Sequence, residues 1–258
     1  MRATEKFNQK DISFHTDGLK LKGVLHLSDD KPSPVVIGSH GLYSNSSSPK
    51  QIALAEQCNR LGIAYFRFDH RGCGSSEGEF DRVTSLEARC RDLMAAVKTI
   101  NNRIDTAGRL GLFGSSMGGT VCLSAVGRLA ASSLVTFAAP IRSDLAGSQL
   151  ERSRSEIVFD AARRPFDITE GLSAISNILI FHGDADDVVP VSHAREIYSL
   201  ARQPKQIIIQ KHGDHPMSNN EHQKEFVREA ALWFQQSLKG SYQLRSINDL
   251  TASGYPEV

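Results

Sequence analysis

The stretch from Leu110 to Gly119, LGLFGSSMGG, constrains the fold more than any other part of the chain. An apolar run suited to a buried strand ends abruptly at Ser116, and helix-compatible residues follow. A Gly-x-Ser-x-Gly pattern between a strand and a helix is typical of a nucleophile elbow, which holds the serine on a sharp, strained turn. Side chains at Gly114 and Gly118 would collide with neighbouring backbone there. The pattern predicts Ser116 as a nucleophile, whereas the same five residues in a simple glycine-rich loop would carry no chemistry.

The order of the remaining segments predicts an α/β fold. Strand-like and helix-like runs alternate along the chain, with about eight strands in all, which indicates a mostly parallel sheet with helices on both faces. Asp17-Gly18 joins two strand-like runs at the start and predicts an antiparallel hairpin. Further on, Thr84 and Glu87 predict a capping box at the start of a long helix. That helix has a predicted apolar face made of Leu86, Cys90, Leu93, Val97 and Ile100.

Two segments depart from this alternation. Residues 141–176 are polar, rich in both signs of charge and poor in apolar residues, and we expect a small helical cap insertion there because long structureless loops are rare in compact domains. Residues 241–258 have no clear period and are expected to form a C-terminal tail. Residues 1–240 are therefore expected to form one domain. A chain of 258 residues is long enough for a single large domain with a sizeable core.

Composition bears on partners and location. The formal net charge is +1 with 23% charged residues, so no overall charge favours nucleic acid or an anionic membrane as a partner. The four cysteines lie far apart without a Cys-x-x-Cys pair, which favours free thiols in a reducing compartment. No apolar run approaches the length of a membrane span, and Met1 to Gln9 are polar. We expect a cytoplasmic protein; the sequence does not indicate its oligomeric state.

A serine nucleophile needs a base to take its proton and an acid to orient that base. Both residue types follow the elbow at predicted strand ends. Carboxylates occur at Asp184, Asp186 and Asp187, and histidines at His212 and His215. The chain order serine, aspartate, histidine is the one found in α/β-hydrolases.

Almost the whole chain resembles the α/β-hydrolase superfamily, in particular small bacterial cinnamoyl or feruloyl esterases and the catalytic domains of prolyl-oligopeptidase-like enzymes. The resemblance rests on the elbow, on His182-Gly183-x-x-Asp186-x-x-Val189-Pro190 and on Gly213-x-His215. It implies that Asp186 is the acid and His215 the base. His212 is then expected at the rim, and Asp184, Asp187 and Asp214 are expected to form turns or face solvent.

An oxyanion hole should supply two backbone N–H donors to the acyl oxygen. One is expected from Met117, which follows the nucleophile at the start of a helix. By resemblance, the other comes from Leu42, after His40-Gly41, and His40 would brace that loop. The chain lacks the longer glycine run that follows this histidine in some lipases.

Other chemistries fit less well. The segment Gly72-x-Gly74-x-x-x-Gly78 imitates a dinucleotide fingerprint, but the first βα unit and an immediately following helix are missing, and Glu79 to Asp81 are expected to continue as loop. The carboxylates and histidines after the elbow could hold a metal by residue type, yet no helical histidine pair or cysteine cluster supports this. We therefore expect neither a cofactor nor a metal.

The resulting expectation is a serine hydrolase that cleaves carboxylic esters with small or aromatic acyl groups through an acyl-enzyme. Peptidase, thioesterase, acyltransferase and perhydrolase activities use the same machinery and stay open. A non-catalytic binding protein on the same fold is the alternative from a different class.

Overall fold

The protein is described from a computed structural model, which covers residues 8–106, 108–143 and 165–239. Eight strands of this part of the chain form one sheet in the order β1-β2-β4-β3-β5-β6-β7-β8. The strands are β1 (Gln9–Thr16), β2 (Leu19–His26), β3 (Val35–Ser39), β4 (Ala64–Phe68), β5 (Leu110–Ser115), β6 (Ser133–Phe137), β7 (Ile178–Gly183) and β8 (Lys205–Gln210). The helices are α1 (Pro49–Arg60), α2 (Phe80–Val83), α3 (Leu86–Asn101), α4 (Met117–Leu129), a 3-10 helix (Thr169–Ala174), α5 (Ser192–Leu200) and α6 (Asn220–Lys239).

The sheet is parallel from β4 to β8 and antiparallel where β1 and β2 join it. The predicted hairpin is confirmed: Asp17 and Gly18 take positive φ angles of 49° and 81°, the combination that a tight two-residue turn requires. The mostly parallel, eight-stranded sheet predicted from the sequence is therefore present.

Helices cover both faces of the sheet and enclose two apolar cores. One core lies beneath α3, α4 and α5, and the other lies beneath α1 and α6. The residues of β3 alternate between them, with Val35 and Ile37 in the first core and Val36 in the second. Because both faces are buried, the central strands are continuously apolar.

The start of α3 differs from the prediction. Ser85, and not Thr84, is the N-cap, and its Oγ accepts a hydrogen bond of 3.1 Å from the Ala88 N–H. The capping box of Thr84 with Glu87 was therefore placed one residue too early. Phe80–Val83 is also helical, where a loop was expected. The predicted apolar face is confirmed, since all five of its residues are buried.

Only the two ends of the predicted insertion lie within the described residues. They pair with each other: the Ser143 N–H donates to the Phe166 carbonyl at 2.9 Å, and the Ile168 N–H donates to the Ile141 carbonyl at 2.9 Å. Residues 144–164 of the predicted cap insertion, 141–176, and the predicted tail, 241–258, fall outside the described part of the chain. The single domain of residues 1–240 stays a prediction.

The carboxyl ends of β3, β5, β7 and β8 meet at one edge of the sheet, because these strands run in the same direction. The segments that follow these strands carry the motifs singled out in the sequence. This edge is where the candidate active site lies.

Candidate active site

Three predicted residues meet at this edge of the sheet. Ser116 stands between β5 and α4, Asp186 follows β7, and His215 follows β8. His215 Nε2 lies 3.1 Å from Ser116 Oγ, and His215 Nδ1 lies 2.8 Å from Asp186 Oδ2. The structure thus brings a serine hydroxyl, an imidazole and a carboxylate into one hydrogen-bonded chain.

The protonation of this chain follows from its partners. The Asp186 side chain is fully buried, and burial alone would raise its pKa. Hydrogen bonds from His182 and His215, and from the Val189 N–H, outweigh burial and hold this pKa well below its ordinary value. An ionised carboxylate only accepts hydrogen bonds, so the proton of His215 lies on Nδ1. Its Nε2 is then free to accept the Ser116 hydroxyl proton.

Backbone N–H groups of the same turn fix the Asp186 carboxylate. Asp186 Oδ1 accepts hydrogen bonds from the N–H groups of Val188 and Val189, at 2.9 and 2.8 Å. On the other carboxylate oxygen, His182 Nε2 lies 3.3 Å from Oδ2 and also 2.8 Å from the Val189 carbonyl. Both oxygens therefore have fixed partners, and Oδ2 faces His215 in one orientation.

The elbow is strained in the way its glycines predict. Ser116 has φ 53° and ψ −126°, which an L-residue rarely adopts. Its N–H donates to the Phe137 carbonyl at 2.7 Å. A Cβ on Gly114 would lie 2.3 Å from the Gly118 carbonyl oxygen, and a Cβ on Gly118 would lie 2.1 Å from the Ser39 carbonyl oxygen. Only glycine fits at either position.

The two backbone amides predicted for the oxyanion hole belong to segments beside Ser116. Met117 is the first residue of α4, where N–H groups lack helical partners and the helix dipole favours an anion. Leu42 follows Gly41, and a Cβ on Gly41 would lie 3.5 Å from Ser116 Cβ. Neither amide donates a hydrogen bond to another residue of the described ranges.

His40 holds the loop that contains Leu42. Its Nε2 accepts the His70 N–H at 3.0 Å, so its Nδ1 carries the proton and donates to the Gly41 carbonyl at 2.7 Å. Burial lowers the pKa of His40 well below its ordinary value, and the positive charge of Arg89 adds to this effect. A neutral imidazole that makes these two hydrogen bonds braces the loop.

The remaining candidates lie around the site. His212 is exposed, and its N–H donates to Asp184 Oδ1 at 2.5 Å. Asp214 accepts from the Ser218 N–H at 2.7 Å, and Asp187 is exposed. Among the residues that the structure describes, no three His, Cys, Asp or Glu side chains are placed to hold a metal ion.

Two cations near the site, Lys50 and Arg89, were not predicted from the sequence. Lys50 Nζ donates to the Pro216 carbonyl at 3.1 Å, next to His215, and lies 4.3 Å from the centre of the Phe137 ring. Burial lowers its pKa to about 8, although the charges of Asp214 and Asp186 oppose this change. No motif marks Lys50.

Arg89, in contrast, left a signal. It lies three residues after Leu86 and four before Leu93, so a charged residue occupies the apolar face of α3. Its side chain is fully buried. A charge at such a position indicates a buried polar contact, which here is with the loop of His40.

None of the helices in the described ranges has the length and apolar character needed to cross a bilayer.

Comparisons with known proteins show the family and the fold of this chain. Residues 30–164 match the family described as Hydrolase_4, serine aminopeptidase, S33. The uncharacterized protein YfhR of Salmonella typhimurium (strain LT2) is 31% identical over 213 residues, covering 78% of this chain and 71% of that protein. The mitochondrial palmitoyl-protein thioesterase ABHD10 of Mus musculus is 27% identical over 216 residues, covering 72% of this chain and 70% of that protein.

Among solved structures, Est1E from Butyrivibrio proteoclasticus with ferulic acid bound superposes with a TM-score of 0.71. The alignment covers 89% of this chain and 100% of that chain at 18% identity, which is a likeness of fold. The chain belongs to the serine aminopeptidase S33 (Hydrolase_4) family and is a hydrolase with the α/β-hydrolase fold.

Proposed function

We propose that the protein is a serine hydrolase that cleaves carboxylic esters through a covalent acyl-enzyme. The observation that carries this proposal is the chain of hydrogen bonds from Ser116 through His215 to Asp186, at 3.1 and 2.8 Å. A serine hydroxyl is a poor nucleophile until a base within hydrogen-bond distance accepts its proton, and this arrangement supplies that base.

In the first half of the reaction, Ser116 Oγ attacks the ester carbonyl carbon while His215 Nε2 accepts the hydroxyl proton. Asp186, ionised and buried, stabilises the imidazolium that forms. The carbonyl oxygen becomes an oxyanion and accepts hydrogen bonds from the N–H groups of Met117 and Leu42. The C–O bond to the alcohol then breaks, and His215 returns the proton to the leaving alcohol.

In the second half, water takes the place of the alcohol. His215 accepts a proton from water, whose oxygen attacks the acyl carbon of the Ser116 ester. The same two N–H groups bind the second oxyanion. Collapse releases the carboxylic acid, and the proton returns to Ser116 Oγ. The cycle needs neither a metal nor an organic cofactor.

The proposed substrates are esters with small or aromatic acyl groups. Tyr43 follows the proposed oxyanion residue Leu42, is 59% exposed, and packs against Phe80 with ring centroids 5.1 Å apart. The exposed ring of Tyr43, supported by the partly buried Phe80, is suited to stack on an aromatic acyl group. The fold shared with Est1E, whose structure holds ferulic acid, is compatible with this choice.

An ester panel tests the proposal. Purified wild type should hydrolyse p-nitrophenyl esters of acetate, butyrate and a cinnamate, and Ser116→Ala should lose at least about 10³-fold in kcat. Ser115→Ala, which changes the adjacent serine, serves as the control. Full activity of Ser116→Ala would overturn the proposal. A rate that climbs steadily beyond about C8 would contradict the substrate class, since each buried methylene contributes roughly 0.8 kcal/mol.

The comparisons suggest two further substrate classes, peptides and thioesters. The family description names an aminopeptidase, and the mouse relative is a thioesterase. Matched oxyester, thioester and amide substrates with one acyl group separate these activities, because only the leaving group differs.

Acyl transfer would appear as product formation with an added alcohol, and perhydrolysis as peroxide-dependent halogenation in the presence of a carboxylic acid. A non-catalytic binding protein would turn over none of these substrates.

A cytoplasmic location remains part of the proposal. Its support is chemical: Cys58, Cys73, Cys90 and Cys122 are all buried and free. Unpaired thiols are typical of reducing compartments.

A further inference from the structure

Arg89 binds the loop that carries the proposed oxyanion donor Leu42. Its Nη2 donates to the His40 carbonyl at 2.8 Å and to the Gly41 carbonyl at 3.1 Å. Its Nη1 lies 3.4 Å from the Leu42 carbonyl. One guanidinium group therefore contacts three consecutive carbonyl oxygens of the loop.

This guanidinium lacks the partner that a buried cation usually has. Arg89 is fully buried, and no carboxylate of the described ranges lies within ion-pair distance of it. The nearby Asp92 is bound by Arg71 instead, at 2.9 Å from Nε and 2.7 Å from Nη2. Burial lowers the pKa of Arg89, but an arginine stays protonated. The carbonyl dipoles of the loop are therefore its main compensation.

The geometry of a trans peptide links these contacts to Leu42. The Gly41 carbonyl and the Leu42 N–H belong to one planar unit and point in opposite directions. Arg89 and His40 both hold the Gly41 oxygen, at 3.1 and 2.7 Å. The Leu42 N–H must then point away from them, while Gly41 itself lies against Ser116.

The two oxyanion donors thus differ in what fixes them. The N–H of Met117 is oriented by α4, whereas Leu42 is in a loop without helical support. A planar guanidinium can hold several carbonyl oxygens at once, and a lysine ammonium in its place would not match this fork. We propose that Arg89 is a positioning residue of the hydrolase, which orients the Leu42 N–H toward the oxyanion formed at Ser116.

This inference rests on the proposed function, so the experiment tests both. Wild type, Arg89→Met and Arg89→Lys are compared for kcat and KM on p-nitrophenyl butyrate, for the inhibition constant of a trifluoromethyl ketone analogue, and for Tm. Arg109→Met is the matched control. Arg109 also donates to two carbonyls, those of Leu238 and Pro32, but it lies at the opposite end of β5.

Loss of one oxyanion donor costs about 10²- to 10³-fold in kcat, and a misdirected donor should cost somewhat less. We expect Arg89→Met to lower kcat about 30- to 100-fold with KM within about threefold, and to weaken analogue binding by a similar factor as kcat. Arg89→Lys should regain less than half of the lost log kcat, because a lysine ammonium lacks the forked guanidinium that contacts several carbonyl oxygens. Arg109→Met should keep kcat within about twofold whatever its Tm.

Several results would overturn the inference. One is a folded Arg89→Met with kcat within about twofold of wild type, and another is an equal loss of kcat in Arg109→Met. If neither Arg89 variant folds, the residue supports the whole fold and not one loop, which also overturns it. A wild type without hydrolysis or analogue binding would overturn the proposed function as well, which distinguishes the two failures.

Discussion

His215 Nδ1 lies 2.8 Å from Asp186 Oδ2, and the carboxylate that it meets is completely shielded from solvent. The remaining lone pairs of Asp186 are occupied by two backbone N–H groups and by His182. Because these hydrogen bonds hold the pKa of Asp186 below its ordinary value, the carboxylate stays ionised at neutral pH and fixes the imidazole in one tautomer.

The first prediction concerns this contact. Asp186→Asn preserves shape, but its amide N–H would favour the wrong tautomer of His215. The expected loss is about 10³- to 10⁴-fold in kcat with little change in KM. Steady-state kinetics on p-nitrophenyl butyrate measure it. Asp187→Asn, the exposed neighbour, is the matched control; equal kinetics for both variants would show that Asp186 does not orient the base.

Much of the site was predictable because its residues follow strands. Parallel strands end at the same sheet edge, so motifs after β5, β7 and β8 were expected to meet, and Ser116, Asp186 and His215 do. The glycines of the elbow were equally predictable, because the Gly-x-Ser-x-Gly pattern itself indicates the sharp turn that requires them. The resemblance supplied the choice among neighbouring aspartates and histidines, which residue types alone left open.

What the sequence left hidden depends on contacts between distant segments. A charge on the apolar face of α3 marks Arg89, but it does not identify the carbonyl partners, which lie more than 40 residues earlier. Lys50 reaches Pro216 across an even longer separation. The N-cap was misplaced because Thr84 and Ser85 are both good capping residues, and only backbone geometry decides between them.

The second prediction tests the close packing of the elbow. Gly118→Ala would place a Cβ 2.1 Å from the Ser39 carbonyl oxygen, so the backbone has to move. We expect a loss of at least about 2 kcal/mol in the free energy of unfolding and a strong loss of activity. Gly127→Ala, in the same helix, meets nothing within 4 Å and should be stabilising by about 0.5 to 1 kcal/mol. Urea denaturation compares the two, and similar stability changes would contradict the packing described.

The third prediction concerns pH. Lys50 releases its proton near pH 8 in the folded protein and near 10.5 when exposed. The unfolded chain therefore binds more protons between these values, so the free energy of unfolding should rise with pH across this window. Across this window, the free energy of unfolding should rise by on the order of 3 kcal/mol.

Lys50→Met should lack this contribution. Urea denaturation from pH 7.5 to 10.5 measures the free energy of unfolding of both proteins, and the difference between wild type and the variant should grow steadily with pH. Lys22→Met, an exposed lysine in β2, controls for the loss of one positive charge. A Lys50→Met curve parallel to that of wild type would mean that Lys50 is not the group responsible.

The fourth prediction concerns acyl specificity. Removal of the exposed ring in Tyr43→Ala should lower kcat/KM for a cinnamoyl ester about fivefold more than for an acetyl ester, as expected for one lost aromatic contact. Leu232→Ala removes an exposed apolar side chain from α6 and should change both esters equally. If Tyr43→Ala also leaves the ratio unchanged, the aromatic pair has no part in selecting the acyl group.

The most direct test of the whole account is to identify the residue that a fluorophosphonate labels. The reagent reacts covalently with a serine whose hydroxyl proton is accepted by a neighbouring base. Peptide mass spectrometry then locates the adduct. We predict one adduct, on Ser116, retained in Ser115→Ala, absent in Ser116→Ala and formed far more slowly in His215→Ala. A wild type that stays unlabelled, or an adduct on another residue, would contradict Ser116 as the nucleophile.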